Sequence, residues 1–351
     1  MNQIHPKISV CIPAYNRPEV LSALLESVLS QTYTNFEIVI CEDCSPRREE
    51  ISCIVAAYAK QYPCIISYHE NEKNLGYDGN IRNLIAKAAG EYCLFMGNDD
   101  LMYADALTVV ASAIARHQNV GVVLRSYASF DGSPDNINQI FRYFQSETLF
   151  PAGSNTISTF YRRSVVISGM VVNREEALKY STERFDGTLL YQLYLVANIL
   201  TKMDGIFVPE ILALYRNGGI PDFGNSEKEK GLFTPKVQTH ESSLYFMRGM
   251  LEIALWTEVS QKIKIYKPIL ADIGNYCYPI LSIQSKQPKY IFLKYTYKLA
   301  GMGLWKNKMF YVYFLTLLFF GSNRVDRIIR YIKRRTGSTP IIGNLYRGEV
   351  K

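Results

Sequence analysis

The 351-residue sequence has no apolar run long enough to cross a bilayer: the longest near-uncharged stretch, Met309 to Phe320, falls short of the roughly 20 residues a spanning helix needs. A mean hydropathy of -0.05 also argues against a polytopic membrane protein. Met1 to Lys7 lacks the apolar core of a secretory signal, so the chain is expected to stay in the cytoplasm. No glycine stands in Pro13 to Arg17, the loop after the first apolar run, which excludes the G-x-G-x-x-G turn of a nicotinamide dehydrogenase. Histidine is scarce: His5, His69, His117 and His240 fall in no motif and read as structural or exposed. The seven cysteines are an odd number, and Cys41-x-x-Cys44 has neither a second pair at zinc-site spacing nor a following redox helix; thiols buried in a reducing compartment fit best.

Present instead are 48% hydrophobic and 20% charged residues, a globular composition that excludes disorder, collagen and coiled coil. The net charge of +7 is unevenly spread, because Lys286 to Arg335 holds 12 Lys or Arg against one acid, Asp326. Phe, Tyr, Leu and Trp are interleaved with these cations, which suits an anionic lipid surface better than nucleic acid, so no nucleic-acid partner is expected.

Apolar runs and helical patterns alternate over the first third. Ile8 to Ala14, Phe36 to Cys41, Ile65 to Tyr68, Glu91 to Met96 and Val120 to Leu124 read as strands. Helices are expected over the stretch containing Leu21 to Leu29, then Arg47 to Tyr62, Asn80 to Ala89 and Ala104 to Arg116. That order predicts an α/β fold with an open, mainly parallel sheet flanked by helices, in which ligands gather where strands end. Further on, Ala128 to Thr156 reads as a polar connection over the crevice, Ser164 to Arg174 as strand, Leu189 to Leu200 as helix and Gly205 to Tyr215 as strand. Glu227 to Lys230 reads as a charged turn, followed by helices from Gln238 to Ser260 and Lys262 to Ser282.

Three polar clusters follow strand ends. Asn98-Asp99-Asp100 sets two adjacent carboxylates after an apolar strand, and a divalent cation carrying a diphosphate would relieve their repulsion; the plainer reading is a solvated turn with a helix cap. Asp43, with Ser45 beside it, could accept from a base or ribose hydroxyl, or form only an Asx turn before Pro46. Pro13-Ala14-Tyr15-Asn16-Arg17 could wrap a nucleobase or be a simple strand-to-helix turn. Asn74-Leu75-Gly76 leads to Arg82 on the next helix, where a guanidinium could meet phosphate or ribose.

Taken in order, Ile8-Ser9-Val10-Cys11-Ile12-Pro13-Ala14-Tyr15-Asn16-Arg17, Ser30-Gln31-Thr32-Tyr33, Glu42-Asp43-Cys44-Ser45, Asn74-Leu75-Gly76, Arg82-Asn83, Ala89-Gly90-Glu91-Tyr92 and Asn98-Asp99-Asp100 resemble family-2 glycosyltransferases of the GT-A fold. The resemblance is close from residue 7 to about 125 and looser to about 216. It implies that Pro13, Tyr15 and Arg17 border the nucleotide, that Asp43 reads the base, that Asp99 holds ribose or sugar phosphate, and that Asp100 binds Mg²⁺ or Mn²⁺. Ala14, Asn16, Ser45, Asn74, Gly76, Arg82 and Asn98 complete the nucleotide-sugar set. Asn98 stands where the family's D-x-D has its first aspartate, which shifts the metal burden to Asp100.

On the acceptor side, the family's Glu-Asp pair is replaced by Leu189-Leu190. This, with Ser168-Gly169-Met170-Val171-Val172 and the Gly187-Thr188 turn, looks like the O-antigen and capsule sugar transferases of the abequosyltransferase type. Asp186, with Glu183 nearby, is the expected general base. The resemblance implies an inverting transfer from a nucleotide-diphosphate sugar, UDP-linked by family habit, to a polyprenyl-linked saccharide. The enzyme would be peripheral on the cytoplasmic face of the inner membrane. Three regions are expected: 1–125 for the donor, 126–235 for the acceptor and 236–351 as a helical, membrane-associating region. A membrane-associated scaffold that kept this fold without transferase activity is the alternative. Sugar-nucleotide pyrophosphorylases, built on a related core, would need glycines between Pro13 and Arg17.

Overall fold

The structure, a computed structural model, describes residues 6–219 and 221–336; the expectations for Met1 to His5 lie outside the described residues. The first third follows the alternation of the sequence: β1 (Ile8–Ala14), α1 (Pro18–Leu29), β2 (Phe36–Glu42), α2 (Arg48–Gln61), β3 (Ile66–Glu70), α3 (Gly76–Lys87) and β4 (Tyr92–Phe95). Strand β1 is buried on both faces, as a parallel strand between helix layers must be. Val10 and Ile12 pack with Leu21, Leu24 and Val28 of α1, while Cys11 points the other way, towards Ile81, Leu84 and Ile85 of α3. Pro18 starts α1, where a missing N–H costs nothing.

Next come β5 (Leu101–Met102), α4 (Ala106–Ala115), β6 (Val120–Phe130), β7 (Ile137–Phe141), β8 (Thr148–Phe150), α5 (Ser154–Phe160), β9 (Val171–Asn173), α6 (Arg174–Lys179), α7 (Tyr191–Ile199) and β10 (Asp204–Arg216). The strands form one sheet in the order β3-β2-β1-β4-β9-β6-β10-β5, with β7 on β6 and β8 on β10. The sheet is mixed rather than mainly parallel. β9 runs antiparallel to both β4 and β6, and β5, β7 and β8 also pair antiparallel. The stretch from Ser164 to Arg174 yields only three residues of strand, because Gly169 turns the chain at φ +78° immediately before it. Ala128 to Thr156 is not a plain connection: β6 runs on to Phe130 and two short strands pair at the sheet's margin, with Ile137 and Ile140 facing solvent.

The C-terminal part is α8 (His240–Gln261), α9 (Tyr266–Asn275), α10 (Tyr278–Gln284), α11 (Lys289–Gly301), α12 (Lys308–Phe320) and α13 (Ser322–Thr336). The expected helix from Lys262 to Ser282 is two, since Pro279 in the first turn of α10 lacks the N–H a continuous helix would use. Leu251 of α8, Ile269 of α9, Phe292 and Tyr295 of α11 and Phe310 and Leu317 of α12 are buried in the same apolar cluster as α3 and α7. No helix among the described residues is long and apolar enough to cross a membrane. Of the seven cysteines, all free, Cys11, Cys41, Cys93 and Cys277 are buried, but Cys53 and Cys64 are exposed.

Candidate active site

The ends of β1, β2 and β4 open into one cleft of about 360 Å³. Pro13, Tyr15 and Arg17 line it from the first strand end, Asp43 from the second, and Asn98, Asp99 and Asp100 from the fourth. Asn74 and Gly76 close the side at the start of α3. The turns that aim these groups are tight: Asn16 and Cys44 sit at φ +55° and +52°.

Asp43 is almost fully buried. Its Oδ1 accepts from Asn71 Nδ2 and from the Leu75 N–H, both at 2.8 Å, which ties β2 to the approach to α3. Burial is the main cause that pushes its carboxyl up to about 6, and the charge of Glu229 adds to it. The Tyr15 hydroxyl, next to Asp222 and Asp43, is raised to about 12, again chiefly by burial.

Asp100 is 4% exposed. One oxygen accepts from Ser168 Oγ and the other from the Arg216 N–H at 3.0 Å. Burial first, and the neighbouring Asp99 second, raise its pKa above the usual carboxylate range. Asp99 is bound by Arg17, and its carbonyl accepts from Arg216 Nε at 2.9 Å. Behind this pair lies Arg125, fully buried, whose Nε donates to the Ser168 carbonyl at 2.7 Å and so fixes the segment that carries the Ser168 hydroxyl. Burial lowers the Arg125 pKa.

No group of three or more His, Cys, Asp or Glu among the described residues could hold a metal alone. Mg²⁺ and Mn²⁺ at diphosphate sites take one or two carboxylates, with phosphate and water completing the shell. Asp99 and Asp100, two adjacent carboxylates of which one is buried and resists ionisation, fit a cation held jointly with a diphosphate.

The acceptor-side expectations fare differently. Asp186 is bound in a bidentate pair by Arg82, at 2.6 and 2.9 Å, and neither residue lines the cleft. Glu183 is largely exposed, 4.0 Å from Arg82. Arg82 and Asp186 thus hold each other outside the cleft lining. Ala14, Asn16 and Ser45 also stand behind the cleft wall: Asn16 Nδ2 donates to Asp222 at 2.9 Å, and the Ser45 N–H donates to Glu42 at 3.0 Å.

Sequence reasoning missed the opposite wall, built by the segment after β10. Asp222 and Glu229 put two further carboxylates into the cleft. Glu229 is 3% exposed and accepts from the Tyr77 and Gly224 N–H groups at 2.7 and 2.8 Å, so both of its oxygens hold backbone. Asp222 is only half-buried, and its oxygens accept from the Asn16 and Asn225 amides. Two glycines seat this wall. A Cβ on Gly76 would lie 2.6 Å from Ser226 Oγ, and one on Gly187 would lie 2.4 Å from the Lys228 carbonyl. The pairing of Asp222 with Asn16 spans 206 residues and leaves no local pattern; the sequence signal was only a charged turn.

The architecture is shared with solved glycosyltransferases. The fold is similar to that of S. aureus TarS residues 1–349 in complex with UDP, with a TM-score of 0.56 at 15% identity over 95% of this chain and 92% of that one. It is also similar to the mannosyltransferase PcManGT from Pyrobaculum calidifontis in complex with GDP-Man and Mn²⁺, with a TM-score of 0.50 at 14% identity over 96% and 82%. These likenesses establish a GT-A-like glycosyltransferase fold.

Residues 9–181 match the family described as Glycosyl transferase family 2, and this part of the chain belongs to that family. Among its relatives are abequosyltransferase RfbV of Salmonella typhimurium, 35% identical over 29% of this chain and 31% of the relative. Another is the putative colanic acid biosynthesis glycosyl transferase WcaA of Escherichia coli, 29% identical over 46% of this chain and 55% of the relative. The chain thus spans about a third to a half of the length of these curated relatives.

Proposed function

We propose that the chain is an inverting glycosyltransferase that moves a sugar from a nucleotide-diphosphate donor, a UDP-sugar in the first instance, to a lipid-linked saccharide during cell-surface polysaccharide assembly. The observation that carries this reading is the convergence of Tyr15, Asp43, Asp99 and Asp100 on one cleft within a family-2 domain. Asp43, held by Asn71 and Leu75, receives the base; Asp99 and Asp100 hold the sugar diphosphate end with Mg²⁺ or Mn²⁺. Once bound, that cation would offset the charge that builds on the departing diphosphate.

The base role passes from Asp186 to Asp222. Of the carboxylates that line the cleft, Asp43, Asp99 and Asp100 serve the donor, and Glu229 has both oxygens on backbone N–H groups. Asp222 keeps partial access to solvent and accepts only from side-chain amides and its own loop. In a single displacement the acceptor oxygen bonds to the anomeric carbon as the carbon–oxygen bond to the diphosphate breaks. The hydroxyl proton passes to the Asp222 carboxylate, and the nucleoside diphosphate leaves with the bonding electron pair.

Membrane contact is part of the same reading. Helix α12 buries Phe310 and Leu317 inward while Tyr311, Val312, Leu315 and Phe319 stay exposed, the last at 73%. Lys306 and Lys308 precede this stripe and Arg324 and Arg327 follow it, a pattern suited to the interface of an anionic bilayer. The side chains of Arg330, Lys333, Arg334 and Arg335, counted in the sequence as further flanking cations, lie outside the described ones. Peripheral placement on the cytoplasmic face follows from this reading.

The test is a screen of UDP-, GDP-, dTDP- and CDP-sugars for hydrolysis by the purified chain, with and without Mg²⁺ or Mn²⁺. Metal-dependent release of the nucleoside diphosphate from one donor class is expected. Nucleotide binding without hydrolysis or transfer under any condition would leave the scaffold reading standing.

A further inference from the structure

Where α12 ends, the chain turns through Gly321, at φ +72°, into α13. An open groove of about 770 Å³ lies between this corner and the start of α11, and it shares no lining residue with the cleft.

One wall of the groove is cationic. Lys286 follows α10, Lys289 opens α11 and Arg324 stands in the first turn of α13. No Asp or Glu lines the groove among the described residues, and none of the three cationic side chains has a carboxylate partner among them. Like charges gathered round one space repel, and an anion between them would relieve that repulsion. Ser322 adds a donor: it is 5% exposed, it lines the groove, and its hydroxyl has no hydrogen-bond partner among the described residues. A hydroxyl buried in this way is costly until a ligand oxygen meets it. The ladder of α13 closes only at the Val325 N–H, which donates to the Gly321 carbonyl at 3.3 Å. The N–H groups of Ser322, Asn323 and Arg324 precede it and add the partial positive charge of a helix start.

The other wall is apolar. Phe292 and Leu317 are buried at its base, whereas Phe319 and Phe320 are exposed. Phe319 also belongs to the exposed stripe of α12, so the groove adjoins the stripe at its C-terminal end. This pairing selects among anions. A free phosphate would use the cations and the hydroxyl but leave both phenylalanines in water. A phosphodiester that carries acyl chains uses the two walls together, with its phosphate among the cations and its chains along the stripe.

We propose that the groove at the corner of α12 and α13 binds the phosphate headgroup of an anionic membrane lipid, with Lys286, Lys289, Ser322 and Arg324 as its contacts. The site rests on the membrane contact proposed above and deepens it: the stripe buries apolar surface in any bilayer, while the groove selects the headgroup and orients the protein on the surface.

The test is calorimetric titration of the full chain with dihexanoyl phosphatidylglycerol below its micelle concentration, beside dihexanoyl phosphatidylcholine and glycerol 3-phosphate. Lys289→Gln with Arg324→Gln removes two groove cations, and Ser322→Ala removes the hydroxyl. Lys294→Gln with Lys298→Gln makes the same change in net charge at two exposed positions of α11 outside the groove. Circular dichroism melts and donor hydrolysis are followed on every variant.

Phosphatidylglycerol is expected to bind the parent protein about tenfold more tightly than phosphatidylcholine or glycerol 3-phosphate, and to lose about tenfold in Lys289→Gln/Arg324→Gln. A loss of about threefold is expected in Ser322→Ala, and none in Lys294→Gln/Lys298→Gln, with donor hydrolysis unchanged throughout. Absence of phosphatidylglycerol binding overturns the proposal, and equal losses in the two double variants do so by showing diffuse attraction only. Glycerol 3-phosphate binding as tightly as the lipid overturns it as well and makes the groove a site for soluble phosphates. A lowered melting temperature in Lys289→Gln/Arg324→Gln with lipid affinity kept would mean that these cations only support helix ends, which also overturns it. Sedimentation with phosphatidylglycerol vesicles, for the parent and for Leu315→Glu on the stripe, separates the two readings. If the parent sediments and Leu315→Glu does not, a failed titration falls on the groove alone; if the parent does not sediment, the membrane contact fails and the groove falls with it.

Discussion

The two walls of the cleft in this molecule use their charged residues differently. Around the ends of β1, β2 and β4, carboxylates are buried yet aimed into the cleft, and Asp43 and Asp100 have pKa values raised by that burial. Across the cleft and beyond it, charges are mostly matched to one another or to backbone: Asp186 to Arg82, Asp272 to Arg162 and Arg163, and Glu229 to two N–H groups. Paired charges hold segments in place, whereas carboxylates kept at the cost of desolvation have their reason in what binds them. Asp222, half-buried and held by side-chain amides, falls in neither group.

The contrast breaks most sharply at Asp100. Asp100→Asn removes charge with hardly any change in volume, and transfer should fall on the order of 10³-fold while circular dichroism stays unchanged. Near-normal turnover under both chelated and metal-replete conditions would return Asp100 to the structural class.

The next effect separates Asp222 from Asp186. Asp222→Asn should lower kcat on the order of 10²-fold or more with UDP affinity preserved. Asp186→Asn should lose less than about tenfold in kcat but on the order of 2 kcal/mol in stability, because it breaks a mostly buried ion pair with some solvent access at Arg82. Urea titrations beside initial rates will tell the two apart, and the reverse outcome would restore Asp186 as base.

A smaller effect is expected at the membrane. Cutting the chain near Ser285 is a poor test, since it strips Phe292, Tyr295, Phe310 and Leu317 from the core. Replacing the exposed Leu315 and Phe319 with Glu leaves that core alone. Binding to anionic phosphatidylglycerol vesicles in sedimentation should drop about tenfold with hydrolysis of a soluble donor intact; unchanged sedimentation would remove α12 from the anchor.

The last effect, on stability and not on activity, is a pH dependence at Asp43. Its folded-state pKa of about 6 lies above an unfolded value of about 3.9, so its contribution to stability is full below pH 4 and is lost as pH rises through 6. Asp43→Asn should therefore gain on the parent protein between pH 4 and 7, by on the order of 2 kcal/mol, as followed by melting temperature. A constant offset across that range would mean that Asp43 is ionised without cost.

The same contrast explains what the sequence made legible. At the ends of β1, β2 and β4 the site groups follow an apolar strand directly, so strand periodicity placed Tyr15, Asp43 and Asp99 at strand ends and sheet topology brought them together. Cleft membership failed where a side chain found a distant partner: Arg82 is 104 residues from Asp186 and Asn16 is 206 from Asp222. Asp78 was invisible for a related reason, since the Leu189 and Tyr191 N–H groups it accepts from lie 111 and 113 residues on. The return strand β9 lies inside the expected strand from Ser164 to Arg174, but only Val171–Asn173 forms it, and so short a stretch carries no sign of its antiparallel direction.

The wall after β10 has a mechanical side. It is seated at Gly76 and Gly187 by contacts that no side chain at those positions could admit, and Glu229 locks it to the start of α3. Its two ends are different: Gly218 has open space around it and a φ of +80°, and Lys236 lies exposed at φ +62°. A side chain at Gly76 would meet Ser226 and Glu229 of that wall, so one substitution at the start of α3 would displace Glu229 and the segment carrying Asp222 together.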